Sequence, residues 1–288
     1  MSRLAWVDVF AAGPMSGNPL AVVLGADDWP ATRMQALAQE LGLSETAFVL
    51  APDAEADHRL RIFTPLRELP LAGHPVVGAA WVLHAAGRLG EHGRIETGAG
   101  VLPVHVRGAV ATIELVAPRA GPVVDGDEVA GAAGVTAAPG PPAQVWSTGV
   151  DQLMLAVGDP DELDAARPDH EALAALGERD GWLGVSIYAV APNGSGGRRR
   201  ARVRHFAPRL GVPEDPVTGS AAGALGACLA AAGMADRHGA LELVVSQGAE
   251  GGRGGEVAVR VAGRDGGAQR VQVGGRVVPL MEGRLIGV

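Results

Sequence analysis

One glutamate, Glu45, stands where acid–base chemistry could take place. It follows a helix-like segment and enters the apolar stretch Thr46–Leu50. An exposed glutamate at a strand start is the alternative interpretation. The negative end of the preceding helix and the apolar neighbours would both disfavour a charged carboxylate, so we expect a raised pKa for Glu45. A carboxyl group of that kind can take a proton from a substrate and return it.

Further candidate residues stand at the starts of two helix-like segments that are otherwise apolar. A helix start presents unpaired N–H groups and a partial positive charge, which suits an anion such as a carboxylate. For each residue taken alone, helix capping or a turn is the alternative role. We expect both helix starts and Glu45 to converge on a carboxylate-bearing substrate in a cleft between two domains. The residues concerned are Gly73 and His74 in the first half, and Asp215, Thr218, Gly219 and Ser220 in the second.

The elements that must position these residues form a repeat. Phe-Thr-Pro at 63–65 matches Phe-Ala-Pro at 206–208, and the segment at 75–79 aligns with the one at 216–220. The stretch that corresponds to the surroundings of Glu45 in the second half, 182–185, contains no carboxylate. The sequence therefore predicts a duplicated chain with one base.

The two helix-like segments, 76–86 and 217–232, carry almost no charge, and Gly87 and Gly233 are expected to end them. A helix that is apolar or small on all sides is buried on all sides. We predict an α+β fold made of two similar domains from an internal duplication, each a curved, mostly antiparallel sheet around a central buried helix. The predicted domains are 1–117 and 123–288, with a linker at 116–122. Residues 276–288 either stay in the second domain or cross back to the first.

The composition removes several classes of function. The net charge of −8 disfavours nucleic acid and membrane partners, which need a basic surface. The arginine-rich run at 198–204 follows Asn-Gly-Ser-Gly-Gly at 193–197, which predicts a solvated hairpin tip rather than a binding patch. One cysteine and no lysine exclude an internal disulfide, Schiff-base catalysis and a phosphate-binding P-loop. We expect no metal site, and we expect a cytoplasmic location because no cleavable leader or spanning segment is visible.

A series of short motifs, in order along nearly the whole chain, resembles the phenazine-biosynthesis PhzF-like family. The fold of that family is similar to that of diaminopimelate epimerase, with two similar domains and central helices, which agrees with the repeat. The motifs are VDVF at 7–10, SGNP at 16–19, LSET at 43–46, FTP at 63–65, ELPLAGHP at 68–75 and EDPVTGSA at 214–221.

This resemblance implies a cofactor-free isomerase. It would move a proton from one ring carbon to another of a dihydro-hydroxyanthranilate-like acid, giving an enol that becomes a ketone. Glu45 would take and return the proton, and we expect a homodimer. The residues implied in substrate binding and proton relay are His74, Asp215 and Ser220, with Gly73, Thr218 and Gly219 beside the carboxylate.

Two other functions stay open at this point. Racemases of this fold use two thiols, but the single cysteine, Cys228, lies well inside the second helix, so that chemistry is excluded. A single-base epimerase acting through Glu45 and Asp215 is one alternative. A homologue that binds a small molecule without catalysis is the other, and the intact set of candidate residues argues against it.

Overall fold

The computed structural model describes residues 2–191, 198–248, 252–263 and 270–287. The chain divides into two compact units. Unit 1 comprises Met1–Glu114 and Gly274–Val288, and unit 2 comprises Leu115–Val273. The division therefore falls between 114 and 115, and the residues from 274 onward belong to unit 1.

The elements follow one another in a mixed order of strands and helices. Unit 1 contains β1 (Arg3–Val9), β2 (Asn18–Leu24), α1 (Ala31–Leu41), β3 (Thr46–Leu50), β4 (His58–Phe63), β5 (Glu68–Leu69), α2 (Gly73–Ala85), β6 (His92–Thr97), β7 (Gly100–Arg107) and β8 (Val110–Glu114). Unit 2 contains β9 (Arg119–Val123), α3 (Gly126–Ala133), β10 (Gln144–Ser147), β11 (Asp151–Ala156), α4 (Pro160–Ala165), α5 (His170–Asp180), β12 (Gly184–Val190), β13 (Arg199–Ala207), β14 (Val212–Asp215), α6 (Gly219–Leu229), β15 (Leu241–Gln247) and β16 (Gly255–Ala262). The last strand, β17 (Arg270–Arg284), starts in unit 2 and continues into unit 1.

The strands of unit 1 form a ring around α2. Strand β1 pairs antiparallel with β2 and β17, β2 runs parallel to β3, and β4 runs parallel to β6. Antiparallel pairs join β3 to β4, β6 to β7 and β7 to β8, and β8 pairs with β17. Helix α2 contacts β1, β2, β3, β7 and β8, and ten of its 13 residues are buried. The prediction of a buried central helix is confirmed for unit 1.

Helix α1 covers the other face of the unit 1 sheet. Met34 of α1 is buried in a cluster with Trp29, Phe48 and Phe63, and the ring of Phe48 meets that of Phe63 edge-on at 5.5 Å. Because side chains alternate along a strand, Phe48 of β3 faces α1 while Ala47 faces the opposite way, toward α2. The same alternation determines whether a residue just before β3 faces α1 or α2.

Unit 2 also surrounds its central helix with strands. Strands β9, β10 and β11 pair antiparallel in that order, β11 runs parallel to β12, and β13 runs parallel to β15. Antiparallel pairs join β12 to β13, β13 to β14 and β15 to β16. Helix α6 contacts β10, β11, β15 and β16, and all of its residues are buried. The prediction of a buried central helix is therefore confirmed here too.

The glycines predicted to end these helices adopt the left-handed conformation. Gly87 follows α2 with a φ of 68°, and Gly233 lies with a φ of 83° in the π-helical turn Ala230–Met234 that follows α6. Glycine meets no steric penalty at such angles, so it ends a helix at low cost.

Two expectations about chain segments are corrected by the structure. The predicted linker at 116–122 is not free chain, because β9 (Arg119–Val123) pairs there with β10. Pro122 lies within this strand, and proline occurs in strands at positions where no N–H donor is needed. The alignment of Pro75 with Pro216 is also wrong, because α2 begins at Gly73 and α6 at Gly219. Proline is tolerated both before a helix and in its first turn, so it marks the helix start only loosely.

The predicted hairpin tip at 193–197 lies outside the described residues. Four of the five arginines in the run that follows it are paired with carboxylates, and Arg199 donates to the Met234 carbonyl. The ion pairs are Arg198–Glu242, Arg200–Glu256, Arg202–Asp164 and Arg204–Glu214. Among the described helices none is long and apolar enough to cross a bilayer.

Candidate active site

In unit 1 the starts of two parallel strands bring polar residues to the same edge of the sheet. Asn18 opens β2 and Glu45 directly precedes β3, and the register places Ala21 opposite Thr46. Glu45 continues the alternation of Ala47, so it faces α2. Helix α2 starts at this edge, with His74 as its second residue. Three residues that are far apart in sequence are thereby assembled.

The side chains of Asn18, Glu45 and His74 form one cluster. His74 Nδ1 lies 3.3 Å from Asn18 Nδ2 and 3.4 Å from Glu45 Oε2. Asn18 is fully buried, His74 is 3% exposed, and the Glu45 side chain is 12% exposed. Glu45 is therefore the most accessible member of the cluster, and His74 supports it from the interior.

Burial decides the charge state of His74. Removal from water lowers its pKa to about 3, although the backbone carbonyl of Pro19 opposes the shift in part. The ring is consequently neutral near pH 7 and carries one proton on one of its two nitrogens. A neutral imidazole can either donate to a carboxylate or accept from a carboxylic acid at the same atom.

The loop before Asn18 is held in an unusual backbone conformation. Phe10 and Met15 have positive φ angles of 59° and 63°, which are uncommon for residues with side chains. Asp8, fully buried on β1, accepts a hydrogen bond from the Met15 N–H at 2.6 Å. A Cβ on Gly17 would lie 2.3 Å from the Val9 carbonyl oxygen, so only glycine fits there. This anchored loop fixes the position at which Asn18 enters β2.

In unit 2 the carboxylate of Asp215 is held by a directed chain of hydrogen bonds. Gln247 Nε2 donates to Thr218 Oγ1 at 2.9 Å, and that hydroxyl donates to Asp215 Oδ2 at 2.5 Å. Gln247 Nε2 also donates to the Asp215 carbonyl at 2.8 Å, and Gln247 Oε1 accepts from the Thr218 N–H at 3.1 Å. Asp215 Oδ2 is thus placed as an acceptor, because the Thr218 hydroxyl accepts a hydrogen bond from the Gln247 amide and so directs its own O–H toward the carboxylate.

The starts of both central helices leave N–H groups available for another acceptor. Neither Ala72 before α2 nor Thr218 before α6 makes a side-chain capping bond within the described part of the chain. Thr218 gives its hydroxyl to Asp215 instead. At α6 the Ser220 carbonyl accepts a hydrogen bond from Thr148 Oγ1 at 3.1 Å, which fixes the first turn. Uncapped helix starts of this kind suit an anion.

A second buried polar group lies on the strands of unit 2. Ser186 Oγ is 2.8 Å from Nδ1 of His205, and burial lowers the pKa of His205 to about 4. At Gly184 a Cβ would lie 2.6 Å from His205 Nε2 and 2.8 Å from Gln152 Oε1. The residue that opens β12 therefore has no side chain, and the two neighbours occupy the space.

The structure brings some of the predicted residues together within each unit. Glu45 and His74 are in contact in unit 1, and Gly73 directly precedes His74. Asp215 and Thr218 are in contact in unit 2, and Gly219 and Ser220 follow them in the first turn of α6. That the two groups act on one substrate stays a prediction.

Sequence reasoning missed Asn18 and Gln247 as members of these clusters. Asn18 stands in the SGNP motif at 16–19, so its presence in a motif was a usable signal. Gln247 ends β15 as a polar residue after an apolar strand, and nothing in the sequence connects it to Thr218.

One protein-family model matches this chain over nearly its whole length. The family model described as phenazine biosynthesis-like protein, PhzC-PhzF, matches residues 7–283. Among curated proteins, a trans-2,3-dihydro-3-hydroxyanthranilate isomerase of Pseudomonas chlororaphis is 35% identical over 296 residues, which cover 99% of this chain and 100% of that protein.

Solved structures extend the similarity to the fold. A phenazine biosynthesis protein of the PhzF family from Bacillus anthracis has a TM-score of 0.87 and 28% identity, covering 99% of both chains. A hydroxyproline epimerase from Agrobacterium vitis has a TM-score of 0.68 at 14% identity, covering 99% of this chain and 90% of that one. The epimerase shares the fold, and at this identity the likeness carries no further meaning.

Proposed function

This chain belongs to the phenazine biosynthesis-like family and is an isomerase, and we propose that it moves a proton between two carbons of a small acid similar to trans-2,3-dihydro-3-hydroxyanthranilate. The observation that carries this proposal is the contact between Glu45 and His74 in unit 1. An accessible carboxyl group backed by a buried neutral imidazole can hold a proton and release it again.

The proposed reaction has two proton transfers and no other reactant. Glu45 first removes a proton from one substrate carbon, so that a C–H bond breaks, an O–H bond forms, and the electron pair stays on the conjugated substrate. Glu45 then delivers the proton to a second carbon, which leaves an enol that becomes a ketone. The enzyme ends in its starting protonation state. No cofactor is needed for these steps.

We assign substrate binding to the start of α6 in unit 2. Ser220 and the N–H groups of Gly219 and Ser220 would hold the substrate carboxylate, with Asp215 and Thr218 ordering the polar groups beside it. At the start of α2, Gly73 has the corresponding role. The uncapped helix starts and the hydrogen-bond chain from Gln247 to Asp215 support this assignment.

We also propose that the two units arose by duplication. In each unit a parallel strand pair is followed by an antiparallel pair, a short strand, the central helix and a second parallel pairing. The register pairs Thr46 with Phe63 in unit 1 and Val185 with Phe206 in unit 2. Glu45 therefore corresponds to Gly184, which supports the interpretation that only one half supplies a base.

A homodimer and a cytoplasmic location are further parts of the proposal. Sedimentation over a range of protein concentrations tests the first, since a homodimer has twice the chain mass at concentrations above its Kd and falls toward the chain mass below it. Fractionation of cells that express the tagged chain tests the second. Neither result changes the proposed chemistry.

The isomerase proposal is tested with trans-2,3-dihydro-3-hydroxyanthranilate in deuterated water. Transfer through a carboxyl group that exchanges with solvent places deuterium at the accepting carbon, which proton NMR of the product detects. Turnover with deuterium at that carbon supports the proposal. Deuterium exchange at one carbon without isomerisation favours a single-base epimerase, and saturable binding without exchange favours a non-catalytic homologue.

A further inference from the structure

The strongest unassigned feature of the proposed site is Asn18, which touches the imidazole from the interior. We propose that Asn18 is a positioning residue: its amide N–H holds neutral His74 in the tautomer whose Nδ1 accepts, so that Nδ1 stabilises the proton while Glu45 carries it. This proposal rests on the proposed role of Glu45 and names the residue that prepares His74 for it.

Two polar groups lie against His74 Nδ1. Asn18 Nδ2 lies 3.3 Å from Nδ1, and Glu45 Oε2 lies 3.4 Å from the same atom. An amide nitrogen can only donate, whereas a carboxyl oxygen accepts when ionised and donates when protonated. A donor at Asn18 requires a lone pair on Nδ1, and this places the ring proton on Nε2.

The contacts at Nδ1 decide the tautomer of His74. His74 Nε2 is buried and makes no hydrogen bond to any described residue. The Pro19 carbonyl favours a protonated ring but makes no bond of normal geometry to Nε2. With no such bond at Nε2 to select a tautomer, the contacts on the other nitrogen select it.

The tautomer of His74 affects which protonation state of Glu45 is favoured. If Nδ1 carried the proton, the ring would donate to the Glu45 carboxylate and favour its ionised form. With Nδ1 as an acceptor, its single lone pair is shared by the Asn18 N–H and the Oε2 O–H, and the ring favours the form in which Oε2 holds the proton taken from the substrate. That proton then leaves Oε2 for the accepting carbon, and His74 keeps its own proton throughout.

The rigidity of Asn18 supports a positioning role. Asn18 is fully buried at the first position of β2, where it pairs in register with Val9 of β1. The preceding loop is anchored by the buried carboxylate of Asp8, and Gly17 is required by the backbone contact described above. A donor held by a sheet and an anchored loop loses little freedom when it bonds to the ring.

The experiment measures the tautomer directly in the full-length protein without substrate. Histidine labelled with ¹⁵N gives separate signals for protonated and unprotonated ring nitrogens, and His74→Gln identifies the signals of His74. We expect Nε2 protonated and Nδ1 unprotonated in the wild type. A protonated Nδ1 overturns the proposal, whatever the variants do.

Two substitutions then test whether Asn18 is responsible. In Asn18→Asp the new carboxylate needs a donor, so the proton should move to Nδ1. In Asn18→Leu the donor is absent, and the share of the Nδ1–H form should rise. Both should lower kcat about 10- to 100-fold with little change in KM, because Asn18 is buried behind Glu45. An unchanged tautomer in both variants overturns the proposal.

A matched control separates positioning from structural support. Gln35 of α1 is a partly buried amide that donates to the carbonyls of Thr64 and Pro65, away from His74. Gln35→Leu should lower Tm but leave the His74 tautomer and kcat unchanged. If the wild type shows the expected tautomer but no isomerisation, only the proposed function fails. If it isomerises with a protonated Nδ1, only the role of Asn18 fails.

Discussion

The two units place similar scaffolds around very different polar clusters. In unit 1, the parallel pair β2 and β3 begins beside the start of α2, and Glu45 Oε2 lies 3.4 Å from His74 Nδ1. In unit 2, Gln152 of β11 lies opposite Gly184, the first residue of β12, so the position that corresponds to Glu45 carries no side chain. In unit 2 the buried carboxylate of Asp215 is instead fixed by the Thr218 hydroxyl.

This difference teaches how one scaffold can separate chemistry from binding. A group that transfers a proton must be stable in two protonation states, so its neighbours must be able to donate or accept, as His74 can. A group that orders a binding site should stay in one state, and the one-directional chain from Gln247 through Thr218 to Asp215 provides this. Under the proposed function, proton transfer would belong to unit 1 and anchoring to unit 2.

The most severe test of this assignment removes the proton carrier. Glu45→Gln keeps the shape of the side chain but cannot carry the proton, so turnover should fall by a factor on the order of 10² to 10⁴. Ligand affinity, measured by calorimetry, should stay within a few-fold of the wild type. Glu40→Gln, an exposed change on α1, is the matched control and should leave turnover unaffected. Near-normal turnover and deuterium exchange in Glu45→Gln would transfer the base role to Asp215.

The two buried histidines extend the comparison to stability. Burial lowers the pKa of His74 to about 3 and that of His205 to about 4, whereas the unfolded values lie near 6.5. The unfolded chain therefore binds more protons below pH 6.5. The stability that each neutral ring contributes is fully present above that pH and is lost as pH falls toward the folded value.

The expected loss is at most about 3 kcal/mol for each ring between pH 7 and pH 4, measured by urea unfolding. His74→Gln and His205→Gln should each make the pH dependence shallower over this window. Only His74→Gln should also reduce turnover strongly. An equal loss of turnover in His205→Gln would break the division between the two units.

The anchoring role of unit 2 is tested at Thr218. Thr218→Val removes the hydroxyl that donates to Asp215, and a hydrogen bond to a charged group is worth roughly 1.5–3 kcal/mol. We expect KM to rise about 10- to 100-fold with a smaller change in kcat. Thr218→Ser retains the hydroxyl and should stay close to the wild type. If kcat fell while KM stayed constant, Asp215 would belong to the proton-transfer machinery instead.

The smallest expected effects concern packing of the central helices. A methyl group on Gly78 of α2 would lie 2.4 Å from Leu20 Cδ2, and one on Gly226 of α6 would lie 2.7 Å from Val259 Cγ1. Either glycine-to-alanine change should cost about 1–3 kcal/mol of unfolding free energy. Gly131→Ala on the outer helix α3 meets open space and should instead stabilise by about 0.5–1 kcal/mol. A stabilised Gly78→Ala would show that α2 packs less closely than described.

Much of the fold could be predicted because it depends on the local composition of the chain. The two central helices were recognisable from their lack of charge, and they are buried in the structure. Gly87 and Gly233 marked their ends, because a left-handed residue after a helix favours glycine wherever that helix lies. Both features depend on neighbours within a few residues along the chain.

The errors came from proline, whose local meaning is ambiguous. Pro75 lies in the first turn of α2, whereas Pro216 lies three residues before α6, so matching the two displaced the alignment. Pro122 stands in β9 although it was expected in a linker. Proline fixes one backbone angle and removes one donor, and several structures satisfy both conditions.

By itself the sequence determined which groups could do chemistry: one glutamate before an apolar strand, the residues that open two apolar helices, and no lysine. Only the tertiary structure decided which groups touch. Asn18 meets His74 across 56 positions of sequence, and Gln247 meets Thr218 across 29. Such contacts depend on strand register, where a shift of one residue turns a side chain to the opposite face. The alternation along one strand shows which residues share a face, but which distant residues meet depends on the pairing between segments, which the residue types alone do not reveal.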